Sequence, residues 1–166
     1  MTIPHIENLE ALSVSEILDQ LPSKVDEILD TECNVAKKLM KVCMLLEQSI
    51  PYYDWVGFYL PDPNSHRELI LGPYIGEETD HDRIPYGIGI CGQVAESNET
   101  FVSDDVQKES NYLSCSVNVR SEIVVPVKKN GAFVGQLDID SHTVAAITEK
   151  DRAILEEICE KLSILF

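Results

Sequence analysis

The side chains placed to do chemistry rather than to pack are two cysteines and three acids: Cys91, Cys115, Glu122, Asp138 and Asp140. Cys91 sits in Gly87-Ile88-Gly89-Ile90-Cys91-Gly92, in the first turn of a short helix expected over 90–97. There the exposed N–H groups and the helix dipole stabilise a thiolate. Taken alone, it reads first as a small buried residue where the backbone is crowded. Cys115 lies in the polar run Asn111-Tyr112-Leu113-Ser114-Cys115-Ser116. Accessibility with thiolate character is what sulfur redox chemistry demands, and a half-buried loop residue is the equal alternative. Cys33, Cys43 and Cys159 fall in helical patterns and are expected to pack.

The acids are tied together by strand alternation. Asp138 and Asp140 are two apart on one strand pattern and so share a face. That strand, 132–140, follows another over 121–128, with Lys129-Asn130-Gly131 between them. A two-residue Asn-Gly turn would pair Lys129 with Ala132 and put Val125 on the face of Gln136 and Asp138. A three-residue turn pairs Val127 with Phe133 and Ile123 with Leu137, and gives one apolar face from Ile123, Val125, Val127, Phe133, Leu137 and Ile139. The second register is preferred, and it sets Glu122 opposite Asp138. Acids that converge so closely repel, so a proton or a cation such as a ligand ammonium must sit among them. A carboxyl held protonated could also donate to a reacting oxygen. A solvated sheet face would explain them too, but Val124, Pro126, Ala132 and Val134 make this face too apolar for that.

The elements that must position these groups follow from periodicity. Residues 1–12 carry little pattern, and a short helix over 13–20 closes at Leu21-Pro22. Ser23 then opens a long helix, bounded by Pro51, with Val25, Ile28, Leu29, Cys33, Ala36, Leu39, Met40, Cys43 and Leu46 at spacings of three and four. Short branched or aromatic runs over 55–60 and 68–71 read as adjacent antiparallel strands, the second ended by Gly72-Pro73. Thr148 with Asp151 opens a last helix whose stripe is Ile154, Leu155, Ile158, Leu162 and Leu165. The order predicts an α+β fold, an antiparallel sheet with the N- and C-terminal helices packed on one face. Residues 1–22 are expected to be an arm or short helix, and 23–166 a single domain.

The 166 residues hold 44% hydrophobic and 25% charged side chains, enough to fold around one core. With 13 basic and 29 acidic residues the formal charge is −16. Phosphate contacts need clustered Lys and Arg, so neither nucleic acid nor an anionic membrane is expected as a partner. No apolar run approaches the ~18 residues of a membrane span. The odd count of 5 cysteines, with no export pattern at the start, predicts reduced thiols and a cytoplasmic protein. Neither the cysteines nor the 4 histidines have metal-finger spacing, so no metal and no cofactor is expected. The long amphipathic helix predicts a homodimer through the terminal helices.

Six runs carry a resemblance: Trp55-Val56-Gly57-Phe58-Tyr59, Leu71-Gly72-Pro73, Arg83-Ile84-Pro85, Gly89-Ile90-Cys91-Gly92, Ser121-Glu122-Ile123-Val124-Val125-Pro126 and Gly135-Gln136-Leu137-Asp138-Ile139-Asp140-Ser141. They resemble a GAF domain, and within it most the free methionine-(R)-sulfoxide reductases. The resemblance implies a thiol enzyme that reduces free methionine sulfoxide and is recycled by thioredoxin. It implies Cys115 as the attacking thiol and Cys91 as a second redox cysteine. Trp55 and Tyr59 match residues around the substrate's methyl end, and Glu122, Asp138 and Asp140 match acids that hold its ammonium and sulfoxide. His81 stands where the family commonly has a third cysteine, and the segment before Cys115 is as similar to non-catalytic GAF domains. A sensor domain binding a small cationic or zwitterionic ligand, or a purely structural dimerisation unit, are the alternatives.

Overall fold

The computed structural model describes residues 1–113 and 116–166. Helix α1, Val14–Leu29, opens on a capping box in which the Ser13 hydroxyl accepts from the Glu16 N–H and the Glu16 carboxylate accepts from the Ser13 N–H. Pro22 does not end it: the helix runs through the proline, and the Ser23 hydroxyl donates to the Gln20 carbonyl at 2.8 Å. Nor does one helix continue to Pro51. The chain breaks after Leu29 because Thr31 caps the Ile28 carbonyl and Asn34 accepts from the Lys37 N–H, opening helix α2, Val35–Ser49. Cys33 therefore lies in the turn between helices, half-buried, and not on an apolar stripe.

The sheet comes next: β1, Trp55–Pro61, β2, Glu68–Ile75, β3, Arg83–Pro85, then helix α3, Gly89–Ser97, and β4, Phe101–Ser103. It continues with β5, Ser121–Lys129, and β6, Ala132–Ser141, before helix α4, Glu149–Leu162. All neighbours are antiparallel in the order β3-β2-β1-β6-β5-β4. Gly72-Pro73 does not end β2 but sits in it, where Gly57 pairs with Tyr74 and Tyr59 with Leu71. The irregularity gives Phe58 two residues opposite it, a bulge that tolerates a proline.

One face of the sheet, with Val56, Phe58, Ile123, Val125, Val127, Leu137 and Ile139, packs against α1, α2 and α4. Each fully buried aliphatic side chain contributes roughly 1.5–3 kcal/mol, so this face is the structural core. The other face carries Trp55, Tyr59, Leu69 and Val124 under α3 and the loop before β5. The first and last helices, α1 and α4, pack on each other. Among the described residues no helix is long and apolar enough to cross a membrane.

The hairpin corrects the preferred register. The turn has two residues, Asn130 and Gly131, with Lys129 paired to Ala132. Both turn residues have positive φ, 53° and 79°, a conformation that Asn and Gly adopt most readily. The ladder then slips by one: Lys128 pairs with Phe133, but Val127 pairs with Gly135, leaving Val134 as a bulge. Beyond it Val125 pairs with Leu137, Val124 with Asp138 and Glu122 with Asp140. Glu122 is thus opposite Asp140, not Asp138, while the expected face of all three acids is restored. Phe133 and Val134 exchange faces: Phe133 meets Tyr86 edge-on beside α3, and Val134 joins the helical core.

Candidate functional site

The acids lie on the face that α3 covers. Glu122 is 4% exposed, Asp138 0% and Asp140 1%, so bulk solvent reaches none of them. Cys91 enters from above, in the first turn of α3, and its Sγ donates to Asp138 Oδ2 at 3.2 Å. Gly92 permits this approach, since a Cβ there would lie 2.6 Å from the Pro85 carbonyl. Gln136, fully buried on β6, fixes the height of the helix by donating from Nε2 to the Cys91 carbonyl at 3.1 Å. One donor atom each from Cys91, Glu122 and Asp138 lies within 4.8 Å of the others.

Burial dominates the electrostatics. It pushes Asp138 up to about 7, against hydrogen bonds from Cys91 and Glu122 that favour its charged form. Glu122 and Asp140 are held well above the usual carboxylate range, by burial first and by Asp138 next. Glu122 therefore keeps its proton and donates it to Asp138. Neither oxygen of Asp140 has a hydrogen-bond partner, and Asp138 Oδ1 has none either. Asp138, the acceptor of two hydrogen bonds, thus lies beside two acids that burial drives towards their neutral form, with acceptor atoms left over for a cation.

Trp55 closes one side. Gly57, opposite Asp138, lets the indole fold flat across the strand: a Cβ at Gly57 would sit 2.3 Å from the ring. The indole stacks between Tyr74, at 5.3 Å, and Tyr59, at 6.4 Å, and its Nε1 donates to the Glu77 carbonyl. Tyr59 lies behind it, fully buried, its hydroxyl donating to the His81 carbonyl. The site holds two cavities of about 10 Å³, each room for one water molecule. Trp55 and Asp140 line the first with Asp54, Glu77, Ser116, Val119 and His142, while Cys91 and Glu122 line the second with Leu113. A wider hollow of about 460 Å³ between β5 and α4 is lined by no cysteine among the described residues.

Cys115 lies outside the described residues. The segment that carries it is anchored on both sides by groups the sequence did not single out. Asn111 accepts from the Gly89 N–H at 2.9 Å and donates to the Gly87 carbonyl at 2.8 Å. On the far side the Glu77 carboxylate accepts from Ser116 at 2.8 Å and from Asn118 at 3.5 Å. Asn111, Glu77 and Gln136 sit in no local pattern that marks a function. Only tertiary contact reveals them.

An antiparallel six-stranded sheet with helices on one face, and a short helix and loop covering the other, defines an α+β domain. The chain belongs to the GAF domain family, whose profile matches residues 24–166. GAF domain-containing protein A of Dictyostelium discoideum is 33% identical over 150 residues, covering 90% of this chain and 92% of that protein. The free methionine-R-sulfoxide reductase of Saccharomyces cerevisiae is 29% identical over 164 residues, covering 96% of this chain and 91% of the yeast protein. Among solved structures, free methionine-R-sulfoxide reductase from Neisseria meningitidis in complex with its substrate superposes with a TM-score of 0.80. It is 33% identical, covering 100% of this chain and 94% of that one.

Proposed function

We propose that this protein reduces free methionine-(R)-sulfoxide to methionine and is recycled by thioredoxin. The observation that carries the reading is the contact of the Cys91 thiol with Asp138 inside a trio of buried acids. Similarity along the full chain to reductases of that substrate supports it. The substrate ammonium supplies the cation the acids lack, and Trp55 offers an apolar surface to the methyl end.

In this reading Cys115 attacks the sulfoxide sulfur as a thiolate, and a protonated acid of the trio gives its proton to the sulfoxide oxygen. The S–O bond breaks, methionine leaves, and Cys115 carries the oxygen as a sulfenic acid. The Cys91 thiol then displaces water from it to form a disulfide, and the dithiol of thioredoxin reduces that bond by exchange. Cavities of one water each are too small for an amino acid, so Leu113, Ser116 and Val119 must give way as it binds.

The test is NADPH consumption with thioredoxin, thioredoxin reductase and free methionine sulfoxide of each epimer. Turnover of the R epimer, abolished in Cys115→Ser, is expected. In Cys91→Ser one equivalent of methionine should form without recycling. Saturable binding of the sulfoxide with no NADPH consumption would overturn the reductase reading in favour of a ligand-binding domain.

A further inference from the structure

Sequence spacing gives no metal motif, yet the fold gathers soft and hard donors from α3, β5 and β6 in one buried place. Zinc bonds sulfur at about 2.3 Å and carboxylate oxygen at about 2.0–2.2 Å, so a tetrahedral ion spaces its donors by roughly 3.3–3.7 Å. Cys91 Sγ and Asp138 Oδ2 are 3.2 Å apart, and the Glu122 oxygen completes a set within 4.8 Å. Movements of a few tenths of an ångström to about one ångström would close the site on an ion.

A second observation points the same way. Asp140 is 1% exposed and pairs in register with Glu122 on the same face, yet neither of its oxygens has a hydrogen-bond partner. Buried polar atoms are rarely left so. Asp138 Oδ1 is a further unpartnered acceptor in the cluster. The sulfur makes the site a poor match for magnesium or calcium, which take oxygen ligands, and a good one for a borderline ion.

We propose that Cys91, Glu122 and Asp138, with Asp140 beside them, bind one divalent cation of the zinc class, and that this cation competes with the amino-acid ammonium for the pocket. Binding forms one metal–sulfur bond and metal–oxygen bonds to Glu122 and Asp138, and releases the Cys91 thiol proton and the Glu122 carboxyl proton to solvent; where Asp140 joins as a further ligand, its proton leaves as well. A metal-bound Cys91 is withheld from the disulfide step, so zinc inhibits recycling. The competition and the inhibition rest on the proposed function; the cation site itself stands on its donors.

The test titrates the full-length reduced protein with cobalt(II), whose bond to a thiolate gives a charge-transfer absorption. One equivalent should saturate the band and zinc should erase it. Cys91→Ser should abolish it, and Glu122→Gln and Asp138→Asn should each weaken cobalt binding at least tenfold. Cys33→Ser, remote from the site, should leave the band unchanged. In Cys115→Ser, which cannot turn the substrate over, free methionine sulfoxide should raise the apparent cobalt dissociation constant in proportion to its concentration. No band in the wild-type protein, or one that survives both Glu122→Gln and Asp138→Asn, overturns the cation site, and does so even if Cys91→Ser fails to fold. Turnover in chelated buffer without a cobalt band refutes this inference and leaves the reductase standing. A Cys91-dependent band without turnover does the reverse.

Discussion

Replacing Asp138 with Asn removes the acid that accepts from both Cys91 and Glu122 while keeping its shape. In the empty protein burial raises this carboxyl from 3.8 to about 7, so between those values the folded chain holds a proton that the unfolded chain releases. Its favourable contribution is complete below about pH 4 and is lost as pH rises towards 7. Three pH units at about 1.4 kcal/mol each put the loss at about 4 kcal/mol. Asn never ionises, but it accepts less well from Cys91 and Glu122, at roughly 1–2 kcal/mol for the weakened hydrogen bonds. About one of those units is already crossed by pH 5, so Asp138→Asn should match wild type there to within ~1 kcal/mol, and be more stable at pH 8 by ~2 kcal/mol. For a chain of this size the latter is about 4–8 °C in Tm. Urea unfolding of both proteins at the two pH values, without ligand and with a chelator present, measures the difference. A gap between them that is the same at pH 5 and pH 8 would refute the buried, proton-sharing arrangement.

Gly57→Ala should drive the indole of Trp55 off the strand, because the new methyl would lie 2.3 Å from it. As Trp55 is the sole tryptophan, a shift in intrinsic emission reads the movement directly, and sulfoxide affinity should fall at least tenfold. An unchanged spectrum would contradict the stacked position. Asp151→Ala leaves the hydroxyls of Tyr52 and Tyr53 and the cap of α4 without their shared acceptor, and should cost about 3 kcal/mol in urea unfolding. Less than 1 kcal/mol would mean that water replaces the carboxylate. Burial raises the thiols of Cys43 and Cys159 well above the ordinary range, so neither should react with iodoacetamide in the native protein at pH 8. Half-buried Cys33 should react, and mass spectrometry of digests would expose the opposite order.

Strands β1, β5 and β6, the first half of β2, and helices α3 and α4 were legible because period-two and period-3.6 patterns are local, whereas β3, three residues with one buried, is too short to show a period. The capping box of Thr148 and Asp151 stands as the spacing predicts, although Asp151 also serves two tyrosines that no pattern ties to it. The N-terminal helices were misread where capping chemistry outweighed stripe continuity. Pro22 looked like a stop and is passed, while Thr31 and Asn34 looked innocuous and end one helix and start the next. The acid face was legible from alternation, but the partner across the hairpin was not. Turn type is set by the left-handed preference of Asn130 and Gly131, and face by burial, and the two disagree by one residue. The clamps made by Asn111, Glu77 and Gln136 link residues 18 or more positions apart, beyond the reach of any local signal.

The bulge at Val134 has a consequence for how freely the hairpin can vary. A slip of one residue in a continuous ladder would turn every side chain of β6 over, carrying Asp138 and Asp140 into the helical core and Leu137 and Ile139 under α3. With a spare residue between tip and site, a change at the tip need be absorbed only within Lys128–Gly135. Deleting Val134 alone removes that slack: the tight turn and the acid face could no longer both be satisfied, and one would have to yield. Loop insertions or grafted peptides at Asn130-Gly131 should accordingly be tolerated without disturbing the pocket, which makes this tip the natural place to attach a label or tether.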